Sequence, residues 1–383
     1  MADTFPRFKV AAVQASAVLF DREKTIDKAV CCIEEAADKG AVIIGFPETF
    51  IPGEPEIWYL AKRNSNPLHK QGKFFIEFVK NSVKIPSAAT DRLCQAARKA
   101  HAYVVVGMSE VDDLFPGTLY LSQLFISDAG EIMGVHRKLV NTTLEKFVFS
   151  PGDGSYLNVY DTPYGKLSGL SCGEHAHGLF KYALLAMGSQ IHVSSWAPFP
   201  DHMSDQVQRD SVDFRVRQFA HEGKIFVINS CAITSKQNID FCCDTQEERD
   251  CFVENTGGGS SIVGPSGQYL AGPMKEGEGI VVAEICLEDA LPGKQVHNVL
   301  GHYTRWDIFS LNFNRERLLP FKSMSAQENG AAEPAVELQR IKKEIREIGK
   351  RVDGLMEERN QSAQSRMGNR QVDSLSARGQ PRR

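Results

Sequence analysis

The 383-residue chain has no apolar run approaching the roughly 18 to 20 residues that would span a bilayer, so a membrane-embedded role is not expected. Its start, Met1-Ala2-Asp3-Thr4-Phe5-Pro6, lacks the basic stretch and apolar core of a secretory leader. It also lacks a surplus of positive charge. The formal net charge is −4, which gives no reason to expect nucleic acid or an acidic membrane as a partner. Nine cysteines, an odd number with two adjacent pairs at Cys31-Cys32 and Cys242-Cys243, do not read as a disulfide framework. They fit reduced thiols in a cytoplasmic protein. Cys242, Cys243 and Cys251 have no CxxC pairing and no nearby histidine, so a zinc site is not expected there.

What is present is an ordinary globular composition, 42% hydrophobic and 24% charged, on a chain long enough to bury a large core without staples. Short apolar runs rich in β-branched residues recur at residues 10–13, 41–46, 103–107, 167–171, 191–195, 225–230 and 280–285. Strands buried on both faces have this composition. Helical stretches lie between them. In residues 24–39, Ile26, Ala29, Val30, Ile33 and Ala36 form one stripe and Gly40 follows as a stop. Residues 91–100 and 179–187 are similar, and the alternation predicts α/β layers. Residues 236–259 are polar and read as an exposed loop or flap. A strand entering a tight turn follows at 260–267.

Composition divides the chain further. A catalytic body is expected over residues 1–320 and a linker rich in Ala, Glu and Gly over 321–335. Residues 336–358 predict an amphipathic helix. There Leu338, Ile341, Ile345, Ile348, Val352 and Leu355 are spaced 3, 4, 3, 4, 3, a coiled-coil-like seam. Residues 359–383 are polar and basic and read as a disordered tail.

Reactive residues fall at the ends of expected strands, where α/β sheets build their sites. Glu48, in Phe46-Pro47-Glu48-Thr49-Phe50, ends an apolar strand. A dehydrated carboxylate there has a raised pKa and can act as a base near neutral pH. Lys138 belongs to His136-Arg137-Lys138-Leu139-Val140, a basic run that by itself reads as a solvated face. Glu145 follows seven residues later as a partner charge. Cys172, in Leu170-Ser171-Cys172-Gly173-Glu174-His175, stands between a strand and an expected helix whose N-terminus favours thiolate. Gly173 permits close backbone approach, and its N–H can face an oxyanion.

Taken together, and in this order, these segments resemble the nitrilase superfamily of carbon–nitrogen hydrolases. The strings around Glu48, Lys138 (through Thr142, Glu145 and Pro151-Gly152-Asp153-Gly154-Ser155) and Cys172, with Gly301-His302-Tyr303 near the end, resemble the nitrilase branch over residues 8–315. The resemblance implies a four-layer αββα sandwich of two similar halves, to which the composition adds the helical and disordered C-terminal tail. It also implies homo-oligomers built from dimers, in some members spiral, and neither metal nor organic cofactor. Carried over, Cys172 is the nucleophile, Glu48 the general base, Lys138 the oxyanion-stabilising cation and Glu145 a second acid orienting the site.

The expected substrate is a small nitrile, hydrolysed to acid and ammonia through thioimidate and thioester intermediates. Release of the amide, or hydrolysis of an amide or carbamoyl compound by the same residues, is the alternative within the family. A non-catalytic assembly protein working through its tail is the alternative outside it. Trp58, Thr142, Phe149, Gly173, His175 and Trp196 are the candidate pocket residues, and ordinary core aromatics are the competing reading for Trp58, Phe149 and Trp196. The chain departs from the common pattern in four places. Gly173 follows the nucleophile where tryptophan is frequent, Asn141 stands for proline, Lys146 for arginine and Phe149 for tryptophan.

Overall fold

The computed structural model describes residues 4–55, 62, 71–198, 205–250, 252 and 257–319. Its compact unit is Met1–Arg317, and a second unit covers Leu318–Arg383. The expected linker, seam helix and basic tail at residues 321–383 lie outside the described residues, as does Trp58.

Thirteen strands are seen among the described residues. They are β1 (Arg7–Gln14), β2 (Ala41–Gly45), β3 (Tyr103–Val111), β4 (Leu119–Ile126), β5 (Ile132–Arg137), β6 (Phe149–Ser150), β7 (Tyr160–Thr162), β8 (Gly165–Ser171), β9 (Ile191–Trp196), β10 (Phe226–Cys231), β11 (Ser260–Val263), β12 (Tyr269–Met274) and β13 (Gly279–Cys286). They form two mixed sheets. The first runs β13-β1-β2-β3-β4-β5, with β6 beside β4, and the second runs β12-β11-β10-β9-β8-β7. The two share one pairing pattern. From β13 to β5 the pairs are antiparallel, parallel, parallel, antiparallel, antiparallel. From β7 to β12 the same sequence repeats.

Side-chain alternation builds the layers. Phe8, Val10 and Ala12 of β1 point between the sheets, meeting Leu167, Ile191, Val193, Phe226, Ile228 and Ile262 of the second sheet. Ala11 and Val13, on the other face, meet α1 (Arg22–Asp38) and α3 (Ala88–Ala100), which α2 (Gly72–Asn81) separates in the chain, through Ile26, Ala29, Ile33, Leu93 and Ala97. The apolar stripe expected in α1 is the face it buries. Asp21 caps its start by accepting from the Lys24 N–H at 3.0 Å. On the far side α5 (Asp205–Gly223) covers the second sheet through Val212, Val216, Phe219 and Ala220, and α4 (Gly178–Ala186) adds Ala183, Leu184 and Leu185. Truncating a buried leucine or isoleucine in such a core to alanine costs about 2–5 kcal/mol.

The expected αββα sandwich is therefore seen, with one local correction. Residues 236–259 are not an open loop throughout. Short helices form at Lys236–Cys242 and Gln246–Arg249, and Ile239, Cys242, Cys243 and Phe252 are buried against Phe20, Phe78 and Phe149. These four buried residues cover the core beside the first sheet, while Phe241 of the same stretch stays half exposed.

Candidate active site

Glu48, Lys138 and Cys172 each stand just beyond a strand end, and Glu145 lies in the 3₁₀ turn Thr143–Phe147. One residue past β2, Phe46 continues the pairing by donating its N–H to the Val105 carbonyl at 2.9 Å, and the chain then turns through Glu48-Thr49-Phe50. This turn presses on β3 so closely that only glycine fits there. A Cβ on Gly107 would lie 2.1 Å from the Pro47 carbonyl and 2.9 Å from the Glu48 Cα. Lys138 directly follows β5. Its N–H donates to the Leu121 carbonyl and its own carbonyl accepts from Gly152, both at 2.8 Å, so the backbone is pinned on both sides. Cys172 follows β8 at φ +44°, a left-handed conformation unusual for a residue with a Cβ. It opens a short 3₁₀ turn, Cys172–Ala176, and α4 comes only after it. The structure thus replaces the expected strand-to-helix entry with a sharp elbow.

The side chains meet in the interior. Lys138 is fully buried, and its Nζ donates to Glu48 Oε1 at 2.7 Å and Glu145 Oε1 at 2.8 Å. The Ala197 N–H donates to Glu48 Oε2 at 3.1 Å, and the Thr142 N–H to Glu145 Oε2 at 2.7 Å. One carboxylate oxygen of each glutamate and the Cys172 Sγ all lie within 4.8 Å of one another. Burial dominates the electrostatics of Glu48. It lifts the carboxyl to about 8, against the pull of Lys138 and with a push from Glu145. Burial works against the Lys138 ammonium too, but Glu48, Cys172 and Glu145 outweigh it and hold the lysine well above its usual range.

A second buried carboxylate joins the lysine and cysteine segments. Glu174 accepts from the Leu139 N–H at 2.9 Å through Oε1, and from the Ser171 N–H at 2.9 Å and His136 Nε2 at 2.8 Å through Oε2. It therefore holds the residue after Lys138 and the residue before Cys172. Burial disfavours charge on both members of the pair. Their mutual attraction overcomes it, so His136 is raised and Glu174 lowered from their usual values. The basic run at 136–138 is consequently not a solvated face. His136 is 2%, Arg137 8% and Lys138 0% exposed. Arg137 pairs with Glu110 and Asp112 and lies over the rings of Tyr120 and Tyr156 at 3.8 and 4.6 Å.

Neither Glu174 nor His136 stood out from sequence as a site residue. The two-residue spacing of His136 and Lys138 along one strand was the available signal. Gln123 of β4 was missed too. Its Nε2 donates to Ser195 Oγ at 2.7 Å, and Ser195 donates to the Phe46 carbonyl at 2.8 Å, tying the sheets together behind Glu48.

The candidate pocket residues separate. Thr142 and Gly173 face each other next to the cysteine, and a Cβ at 173 would approach Thr142 Oγ1 to 2.7 Å. Trp196 is fully buried and donates its indole N–H to Ser194 Oγ at 2.7 Å, which makes it core. Phe149 is likewise core, packed edge-on against Phe78 with ring centroids 6.0 Å apart. His175 is buried behind the elbow with its ring stacked on Trp196.

The carbon-nitrogen hydrolase family matches residues 9–295. An aliphatic nitrilase from Rhodococcus rhodochrous is 41% identical over 318 residues, 82% of this chain and 84% of that protein. A nitrilase from Bacillus sp. (strain OxB-1) is 38% identical over 330 residues, 85% of this chain and 94% of the other. Nitrilase 1 of Arabidopsis thaliana is 36% identical over 324 residues, covering 83% and 89%. Among solved structures, an amidase from Nesterenkonia sp. AN1 shares the fold with a TM-score of 0.55 at 20% identity, covering 76% of this chain and 96% of its own. With its two like-patterned sheets, its elbow cysteine and its buried lysine between carboxylates, the chain belongs to the carbon–nitrogen hydrolase family, in the nitrilase branch.

Proposed function

We propose that this protein is a nitrilase that converts a small nitrile to the carboxylic acid and ammonia, with Cys172 as nucleophile, Glu48 as base, Lys138 as stabilising cation and Glu145 as the acid that orients it. The observation that carries the reading is the buried Glu48–Lys138–Glu145 cluster beside a cysteine held at positive φ. A thiolate suits a weak electrophile such as a nitrile carbon. Glu48, lifted toward neutral pH by burial, takes the thiol proton, and sulfur bonds to the carbon while that proton passes to nitrogen. The thioimidate then accepts water. The tetrahedral centre that follows carries oxygen, amine and sulfur, and its charge is stabilised by Lys138 and the Gly173 N–H. Loss of ammonia leaves a thioester, which a second water opens to the acid and free thiol. Expulsion of sulfur instead gives the amide.

Thr142 and Gly173 border the reacting carbon in this reading, and His175, Phe149 and Trp196 support the walls from behind. The enzyme assembles as a homo-oligomer. Leu179 of α4 and Phe214 of α5 support this, both more than half exposed on one helical layer. An odd cysteine complement suits a cytoplasmic enzyme. Among the described residues no helix is long and apolar enough to cross a membrane. A panel of aliphatic and aromatic nitriles and their amides, scored for acid, amide and ammonia, tests the proposal. Acid and equimolar ammonia from at least one nitrile is the expected result, and turnover of amides with no nitrile consumed would overturn it.

A further inference from the structure

Behind the nucleophile runs a line of buried polar groups that the reaction scheme does not use. His175 Nδ1 lies 2.9 Å from the Cys172 carbonyl oxygen. Its Nε2 lies 3.0 Å from His192 Nε2. His192 Nδ1 lies 2.8 Å from Ser168 Oγ, which lies 2.6 Å from Ser189 Oγ. All four side chains are buried, His192 and Ser168 completely. The His175 ring is clamped flat on Trp196, with centroids 5.1 Å apart and 25° between planes. His192 stands edge-on to Phe219 at 4.9 Å.

The donors and acceptors can be assigned from one end. A carbonyl only accepts, so His175 Nδ1 carries the proton and donates. In a neutral imidazole the other nitrogen is then an acceptor, so His192 Nε2 must donate to it. His192 Nδ1 is left as an acceptor, which Ser168 fills with its hydroxyl proton, and Ser189 in turn donates to Ser168. Neutral rings are what this surrounding favours. Burial brings His175 down to about 4 and takes His192 well below the usual imidazole range, with Lys181 adding to the effect on each.

The peptide that ends this line is the one between Cys172 and Gly173. Its planarity sets the Gly173 N–H opposite the Cys172 carbonyl. That N–H lies in the first turn of the 3₁₀ segment, where backbone donors lack helical acceptors. We infer that Ser189, Ser168, His192 and His175 form a one-directional hydrogen-bond chain that fixes and polarises the Cys172–Gly173 peptide, aiming its N–H at the charge that develops on the reacting centre. Aligned bonds strengthen one another. A donor polarised from behind therefore binds the tetrahedral species better than the neutral nitrile. His175 and His192 are positioning residues, acting through the backbone without touching substrate. They also hold the elbow at its positive φ. The inference rests on the role proposed above for Cys172 and Gly173.

Two measurements test it. Selective ¹⁵N-histidine NMR of the resting wild-type protein between pH 6 and 8, assigned with His175→Asn and His192→Asn, reads the tautomers without any substrate. The expected result is a neutral His175 protonated on Nδ1 and a neutral His192 protonated on Nε2. Either ring found in the opposite tautomer or as imidazolium would overturn the chain. In kinetics with the best nitrile, His175→Phe keeps the ring stack and removes the donor. It should lower kcat about tenfold, less than the roughly 10²–10³ that loss of an oxyanion donor itself costs, with KM within about twofold. His175→Asn can still reach the carbonyl with its amide N–H and should recover kcat to within about threefold of wild type. A His175→Phe enzyme with wild-type kcat, or Asn and Phe variants equally impaired, would overturn the polarising role. If the Phe variant fails to fold, the Asn variant and the wild-type tautomers still decide the matter. A wild-type protein inert toward every nitrile would remove the functional reading while leaving the tautomer result intact.

Discussion

The two sheets are built to one plan, yet only some strand ends carry chemistry. β1 and β8 hold the same place in their sheets. One runs into Ala15-Ser16-Ala17 and the other into Cys172. β2 and β9 correspond as well. The first leads to the Glu48 carboxylate and the second to Ala197, whose contribution is a backbone N–H given to that carboxylate. β5 and β12 correspond and each is followed by a lysine. Lys138 is fully buried between two acids, whereas Lys275 is exposed. The architecture therefore does not dictate the chemistry. A repeated scaffold offers equivalent positions, and the residues placed there decide which become a site. The second half also lends backbone to the first, so the site needs both.

The largest expected break in this comparison is Cys172→Ala, which should lower nitrile turnover by at least about 10³-fold, read as ammonia release, with little change in melting temperature. Glu48→Gln and Lys138→Met should each come close to that loss. Combining either with Cys172→Ala should add almost nothing, because the three act as one unit. Near-normal rates for Glu48→Gln would remove the base assignment. Lys138→Met also strips the buried carboxylates of their cation and should destabilise the fold by about 3–5 kcal/mol in denaturant titrations. Lys275→Met, at the matching position, should leave both stability and rate unchanged, and a comparable loss there would break the contrast.

A smaller effect concerns pH. A base with a raised pKa is lost as pH falls through that value, so kcat/KM should rise with pH to a midpoint near the Glu48 value of about 8. An acid limb centred near 4.5 would show that burial does not tune this carboxyl. The smallest expected change is one of selectivity. Gly173→Trp must displace Thr142, whose hydroxyl lies 2.7 Å from the new Cβ, and should narrow the range of nitriles accepted. An unchanged profile across the panel would take position 173 out of the pocket.

Much of this was legible in the sequence because burial on both faces leaves continuous apolar runs. β1, β2, β3, β8, β9, β10 and β13 carry that signature. β4 and β5 give no such continuous run, because polar and charged residues, among them Ser122, Gln123, His136 and Arg137, interrupt the pattern. Those interruptions are buried and paired, and two of them support the site. Glu48, Lys138 and Cys172 stood out through their strand-end positions and local strings. Glu174, Gln123 and His192 did not, because their importance lies in partners between 17 and 72 residues away that only the folded chain brings near. The aromatic candidates Phe149 and Trp196 were ambiguous for a different reason. Large rings are as much at home in a core as in a cleft, and Phe149 and Trp196 are in the core.

β5 lies at the edge of its sheet, with a partner strand on one side only in the strand order. Edge strands slip, and a slip of one residue sends every side chain to the opposite face. Here that would swing Lys138 away from Glu48 and put Arg137 among the site's carboxylates. Two opposed fittings forbid it. Arg137 is captured on its own face by Glu110, Asp112 and two tyrosine rings, while His136 is captured by Glu174 on the other. Tyr160 adds a third check, filling the space where any side chain at Gly134 would go. The basic run thus works as a key with teeth on both edges. Only the strand seated in the correct register satisfies all three locks, and that register alone delivers the ammonium to the site.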